Sequence, residues 1–160
     1  MIGRIAALLL LFATCMSVAA APRDEAVAAY QKFFQLFTTD NQDEVTALFA
    51  PDALFYGTSS TDLAIGHVAI RAYFVGALTG ARGTVRATPF EHTTLDLSDS
   101  VIVITGKWQS ERTLNGTMTT AGPSRNSVVL QKQGDRWLIV QFHSSATPKP
   151  PGAAPAGGAR

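Results

Sequence analysis

Apolar residues recur at steps of three and four near the start of the chain, and this is the spacing of one helical face. We therefore predict a first helix there, followed by a short helix over residues 42–49 and a third helix over 67–78. Between the last two, residues 53–57 are predicted to form a short strand. The inward row of the first helix is Val27, Tyr30, Phe34 and Phe37.

From residue 86 onward, β-branched and aromatic residues dominate and short turn sequences separate them. Four strands are predicted, over residues 90–97, 101–112, 118–133 and 137–146. Helices followed by an antiparallel meander predict an α+β fold, in which a curved antiparallel sheet packs against the N-terminal helices. The predicted tight turns are Ser98–Asp99, Asn115–Gly116 and Gly134–Asp135.

The first twenty residues are typical of a secretory signal peptide. Arg4 precedes an apolar run of roughly 14 residues, which is shorter than the about 20 needed to cross a membrane. The run ends in small residues, and we predict cleavage after Ala20, because cleavage one residue later would place Pro22 directly after the cut. The protein is therefore expected to be periplasmic or secreted. An uncleaved apolar anchor is the alternative.

Both ends of the chain are predicted to lie outside the fold. Cys15 would leave with the signal peptide, so the mature chain would have no thiol, which suits an oxidising compartment. Residues 148–160 are rich in Pro, Gly and Ala and are predicted to form a disordered tail. A single folded domain of roughly residues 23–147 remains.

The charge balance restricts the classes of partner. Without Arg4 the chain has twelve basic and twelve acidic residues. Such a balance excludes the basic surface of a nucleic-acid-binding domain. One cysteine excludes thiolate-rich metal sites. We therefore predict no metal, no cofactor, no nucleic acid and, after cleavage, no membrane contact.

The predicted turns also set which strand residues lie opposite each other, and opposed residues point to the same face. If no bulge intervenes, Glu91, Gly106, Arg125 and Ser144 form one row at the polar end of an apolar inner face, near Trp108. The Gly122–Pro123 pair is a candidate bulge in this register.

Two interpretations of this row stay open. Glu91 and Arg125 would lie about 9.5 Å apart at the backbone, with Gly106 leaving room for them to meet. In the first, Arg125 is oriented by Glu91 and holds a carboxylate or carbonyl of a ligand. In the second, the two residues form a structural ion pair. The predicted ligand-binding residues are Arg125, Glu91, Trp108, Ser144 and Tyr56.

The opposite sheet face is predicted to form an interface with a second copy of the chain. The helices cover only one side of the sheet, and the other side is too apolar to be left in solvent. His92 and His143 would share this face about 14 Å apart, which is too far for one metal ion. The predicted interface residues are Trp137, Ile139, Gln141 and His143.

Five segments resemble the nuclear transport factor 2-like (SnoaL-like) superfamily. They are most similar to its calcium/calmodulin-dependent protein kinase II association-domain group and bacterial SgcJ/EcaC-like relatives. The most specific feature is the last strand, Trp137-x-Ile139-Val140, which leads into His143-Ser144-Ser145-x-x-Pro148. The resembling segments are residues 48–58, 66–74, 98–99, 123–127 and 134–148.

The resemblance implies a cone-shaped sheet that encloses a pocket and an outer face that forms dimers or larger rings. It also implies that Arg125 and residues 143–145 are recurrent polar positions. The chain departs from the family at Phe142, where bacterial relatives have the first of two histidines. It also has Ile70, Ile104, Val128 and Ser144 where the kinase hub has polar pocket residues. No kinase domain is expected.

Three functions therefore remain open. The first is a non-catalytic exported domain that self-associates as a homodimer or larger ring and binds a small apolar or anionic ligand. The second is an isomerase-like or cyclase-like enzyme with a pocket carboxylate as general base and Tyr30 or Tyr56 as hydrogen-bond donor. Pairing with Arg125 would spoil Glu91 as that base. The third is a protein-interaction domain for a different partner.

The cleavage prediction can be checked directly on protein recovered from a bacterial culture. We expect the exported protein to begin at Ala21, because small residues precede this bond and Pro22 disfavours the next one. N-terminal sequencing and intact mass would show this. A recovered chain that still begins at Met1 would contradict the prediction.

Overall fold

Three α-helices and six strands form residues 20–148, the part of the chain that the structure, a computed structural model, describes. The helices are α1 (Pro22–Leu36), α2 (Gln42–Thr46) and α3 (Gly66–Leu78). The strands are β1 (Phe49–Tyr56), β2 (Ala64–Ile65), β3 (Thr84–Ser98), β4 (Val101–Leu114), β5 (Thr117–Gln133) and β6 (Arg136–Ala146). Except for Ala20 and Pro148, the predicted signal peptide and tail lie outside the described residues. No described helix is long and apolar enough to span a membrane.

The predicted order of helices and strands is confirmed, and the α+β fold class with it. The sheet order is β2-β1-β6-β5-β4-β3, and strands β3 to β6 form the predicted antiparallel meander. Strand β1 is longer than predicted and begins at Phe49, which cuts α2 short. Because β1 pairs with β6 in parallel, the complete sheet is mixed.

Aromatic side chains hold the helices against the inner face of the sheet. Phe33 of α1 lies at the centre of this cluster, with its ring centroid 4.9 Å from that of Phe142 and 6.2 Å from that of Phe74. Trp108 of β4 packs against Phe34 and Phe37. Large buried aromatic surfaces of this kind dominate the energetics of a small core.

Four one-residue register shifts interrupt the meander. They occur at Phe90 and Leu97 in β3, at Gly122–Pro123 in β5 and at Val140 in β6. The turns at 115–116 and 134–135 lie where they were predicted, whereas the first hairpin turns at 99–100. Because a one-residue shift moves the following side chains to the other face, the predicted faces of β3 and β5 are wrong.

Trp137 and Ile139 were predicted to lie on the outer, partner-facing side, and this placement is wrong. Both belong to the core, with 7% and 1% of their surface exposed. Ile139 lies opposite Leu130, whose side chain is also buried. Val140 then interrupts the register, and Gln141 follows it on the outer face of β6. Gln141 and His143 do lie on the predicted outer face.

Glu25 fastens α1 to the end of the sheet. Its carboxylate accepts hydrogen bonds from Trp137 Nε1 at 2.9 Å and from Lys132 Nζ at 2.7 Å. The hydrogen bond from Lys132, followed by that from Trp137, lowers the pKa of Glu25 below its ordinary value of 4.5. A carboxyl group with a lowered pKa in the folded state stabilises the fold above its unfolded-state pKa.

We predict that this contribution is lost as the pH falls below 4.5 and through the folded-state pKa of Glu25. Glu25→Gln should therefore show a smaller fall in stability than the wild type over this range. Urea unfolding between about pH 3 and pH 7 measures the free energy of unfolding of each variant. Glu44→Gln, at an exposed position of α2, is the matched control and should follow the wild type. Parallel curves for wild type and Glu25→Gln would contradict the prediction.

Candidate functional site

The outer face of the sheet carries three rows of side chains that run across the strands. We call them the charged row, the hydroxyl row and the apolar row. The charged row is Glu91, Lys107, Arg125 and Ser145. The hydroxyl row is Thr93, Thr105, Ser127, His143 and Tyr56. The apolar row is Leu95, Val103, Val129, Gln141, Leu54 and Ile65.

Electrostatics in the charged row differ from the prediction. Lys107 lies between Glu91 and Arg125, and its Nζ is 2.6 Å from Glu91 Oε1. Arg125 Nε donates a hydrogen bond to Ser145 Oγ at 3.1 Å. The predicted Glu91–Arg125 pair is therefore wrong. Both side chains do share a face, but it is the outer face, and the residue between them is a lysine.

The charged row and, except for Tyr56, the hydroxyl row line a cleft of about 690 Å³. His92, Gly106 and Asn126 also contribute to its lining, since each lies along its strand between members of the two rows. The cleft thus brings together one carboxylate, two cations, two histidines and several hydroxyl groups. A volume in this range is typical of a small-molecule site, although the lining is more polar than usual.

The inner face carries the remaining residues of the predicted row. There His92, Gly106, Asn126 and Ser144 lie opposite one another across the strands. Asn126 Nδ2 donates to the Tyr30 hydroxyl at 3.2 Å, and burial raises the pKa of Tyr30. A Cβ on Gly106 would lie 2.6 Å from that hydroxyl. The gap predicted for a Glu91–Arg125 contact is therefore occupied by Tyr30.

Trp108 and Ser144 share the inner face, as predicted, and contact each other directly. Trp108 Nε1 donates to Ser144 Oγ at 3.0 Å, and Ser144 Oγ is 2.7 Å from Thr58 Oγ1. Both Trp108 and Ser144 are buried. Their polar groups therefore have partners within the protein, as buried polar groups require.

Tyr56 lies on the outer face, with its ring centroid 6.1 Å from that of His143. The five predicted ligand-binding residues consequently fall into two groups. Trp108 and Ser144 form part of the core, whereas Glu91, Arg125 and Tyr56 lie on the outer face.

Lys107 is the member of the charged row that sequence reasoning missed. The alternation of residues along β4 could have placed its side chain on the outer face. Ile102, Ile104 and Trp108 share the inward face of β4, so Lys107 must point outward. Asn126 was missed as an inner residue because the bulge at Gly122–Pro123 changes the face of β5.

Comparisons with known proteins agree with this fold. The model of the SnoaL-like domain family matches residues 26–149. A crystal structure from Xanthomonas campestris, described as a putative calcium/calmodulin-dependent protein kinase II association domain, is 27% identical. It superposes with a TM-score of 0.70 over 82% of this chain and 94% of that one.

Two further structures are similar in fold. The association domain of C. elegans CaMKII is 20% identical, with a TM-score of 0.64 over 79% of this chain and 96% of that one. A putative scytalone dehydratase from Novosphingobium aromaticivorans is 12% identical, with a TM-score of 0.69 over 86% and 95%. No curated protein is similar enough to count as a match. Because the family model covers most of the folded chain, the chain belongs to the SnoaL-like family of the nuclear transport factor 2-like superfamily.

Proposed function

We propose that this protein is an exported, self-associating domain that binds a small molecule on its outer sheet face and has no kinase activity of its own. The apolar row is the observation that supports self-association. This row crosses all six strands, and Gln141 is its one polar member. Leu54, Ile65 and Leu95 are 41%, 59% and 60% exposed in the single chain.

A second copy of the chain is the occupant that best fits this row. The row runs across all six strands without a charged member, so two copies related by a two-fold axis can bring their rows together. Contact of this kind removes apolar surface from water on both copies at once. Two of the similar structures, from Xanthomonas campestris and C. elegans, are described as association domains, and this supports self-association of the present chain.

Export is supported by the sequence of the first twenty residues and by the absence of cysteine from residues 21–160. A periplasmic or secreted location would place the outer face in contact with small molecules of the envelope or the medium. We therefore include location in the proposal.

The enzyme alternative needs a carboxylate positioned as a general base in an apolar pocket. Glu91, the carboxylate predicted for that role, lies on the outer face, is half-exposed and contacts Lys107. The inner row of His92, Gly106, Asn126 and Ser144 has no carboxylate among its members. The likeness to a putative dehydratase, at 12% identity, concerns the fold alone. The geometry therefore favours binding over catalysis.

The mass of the mature chain tests the association. Native mass spectrometry and light scattering at micromolar concentration should give a dimer or a larger closed assembly. Leu54→Glu combined with Leu95→Glu should shift the protein to the monomer mass, because it places charges within the apolar row. Val68→Glu, at a position of α3 that is 88% exposed, is the matched control and should leave the assembly unchanged.

Two results would contradict the proposal. One is a monomeric wild type at micromolar concentration. The other is an assembly that survives both glutamates in the apolar row. Dissociation of the double variant with retained circular dichroism would show that the fold itself is intact. Stable copurification of a different protein on this face would instead favour the protein-interaction alternative.

A further inference from the structure

The charged row holds two cations directly opposite each other and only one carboxylate. Lys107 of β4 pairs with Arg125 of β5 in the antiparallel register. Side chains at such positions start about 4.5–5.5 Å apart at their Cβ atoms, and like charges there repel. Glu91 neutralises one of the two charges. The second charge, on Arg125, has no carboxylate partner within residues 20–148, and an anion in the cleft would balance it.

The partners of the two cations lie on opposite sides of the row. Glu91, on β3, contacts Lys107 from the side away from Arg125. Ser145, on β6, accepts from Arg125 Nε on the side away from Lys107. Glu91 and Ser145 thus flank the two cations at the two ends of the charged row, and the cleft lies over the row between Lys107 and Arg125. This is the position where an anion would contact both.

Arg125 is suited to bind a carboxylate end-on. Its Nε donates to Ser145, and within residues 20–148 no carboxylate lies in ion-pair distance of the guanidinium. The two terminal nitrogens of a guanidinium form a planar fork that matches the two oxygens of a carboxylate. Fixing Nε on Ser145 orients this fork before a ligand arrives.

The hydroxyl row supplies neighbouring polar contacts. Thr93, Thr105 and Ser127 line the same cleft, each two residues along its strand from a member of the charged row. Hydroxyl groups can both donate and accept, so they complement the hydroxyl groups of a ligand.

We infer that the outer cleft binds a small polyhydroxylated carboxylate, of the sugar-acid class. Its carboxylate lies between Arg125 and Lys107, and its hydroxyl groups face Thr93, Thr105 and Ser127. The cleft volume of about 690 Å³ accommodates such a molecule. This inference rests on the small-molecule part of the proposed function and names its ligand class. It does not depend on self-association through the apolar row.

Isothermal titration calorimetry on the mature chain tests this inference, with D-glucuronate as the probe. The titration is run at low ionic strength, because salt screens exposed charges. D-Glucose, acetate and inorganic phosphate are the comparison probes. We expect glucuronate to bind more tightly than each of them, because only glucuronate offers both a carboxylate and a set of hydroxyl groups. Equal affinity for acetate, phosphate or glucose would overturn the inferred ligand class.

Variants locate the site. Arg125→Gln should weaken glucuronate binding by about tenfold or more, since it removes the charged fork. Lys32→Gln, at an exposed position of α1, makes the same change in net charge and should leave the affinity unchanged. Thr105→Val should weaken glucuronate binding and leave acetate binding as it was. Unchanged binding in Arg125→Gln, or an equal loss in Lys32→Gln, would overturn the site.

The mass of the same samples separates this inference from the proposed function. A monomer that binds glucuronate through Arg125 would support the cleft and contradict the association. An assembly that binds no glucuronate but retains a different small molecule in native mass spectra would overturn the inference and leave the proposed function intact.

Discussion

The side on which each strand presents its residues depends on where the chain inserts one extra residue into the sheet. At Gly122–Pro123 the insertion turns Asn126 inward to Tyr30 and Arg125 outward to solvent. At Val140 a second insertion returns Phe142 and Ser144 to the core, where they meet Phe33 and Trp108. The aromatic core and the charged outer row are therefore two results of the same bulges.

The two faces of the sheet differ in how their polar and charged groups are paired. On the inner face, two polar side chains have partners within the protein: Asn126 contacts Tyr30, and Ser144 contacts Trp108. On the outer face, the charges are not balanced, because the charged row has two cations, Lys107 and Arg125, and one carboxylate, Glu91, which pairs with Lys107. Because these inner polar groups are paired and the outer charges are not balanced, we propose the outer face, and not the inner one, as the binding surface.

Sequence patterns predicted the helices, the meander and two of its turns for clear physical reasons. Turn residues such as Asn115–Gly116 fix their own backbone geometry, and the helical spacing around Phe34 has few alternatives. Which residues of each strand point toward the core was harder to predict from the sequence. Residues 128–130 and 138–140 are apolar at every position, so no alternation shows which side is buried. The prediction of the site failed for β5, because it required knowing whether Arg125 or Asn126 points toward the core.

The two bulges in β3 affect the edge of the sheet. Strand β3 lies at the end of the strand order, so one side of its backbone has no neighbouring strand among the described residues. Long, regular and apolar strands in that position recruit further strands and lead to aggregation. Phe90 and Leu97, both more than half exposed, lie at the two bulges and break this backbone into shorter pieces. The chain is thereby protected from polymerising edge to edge.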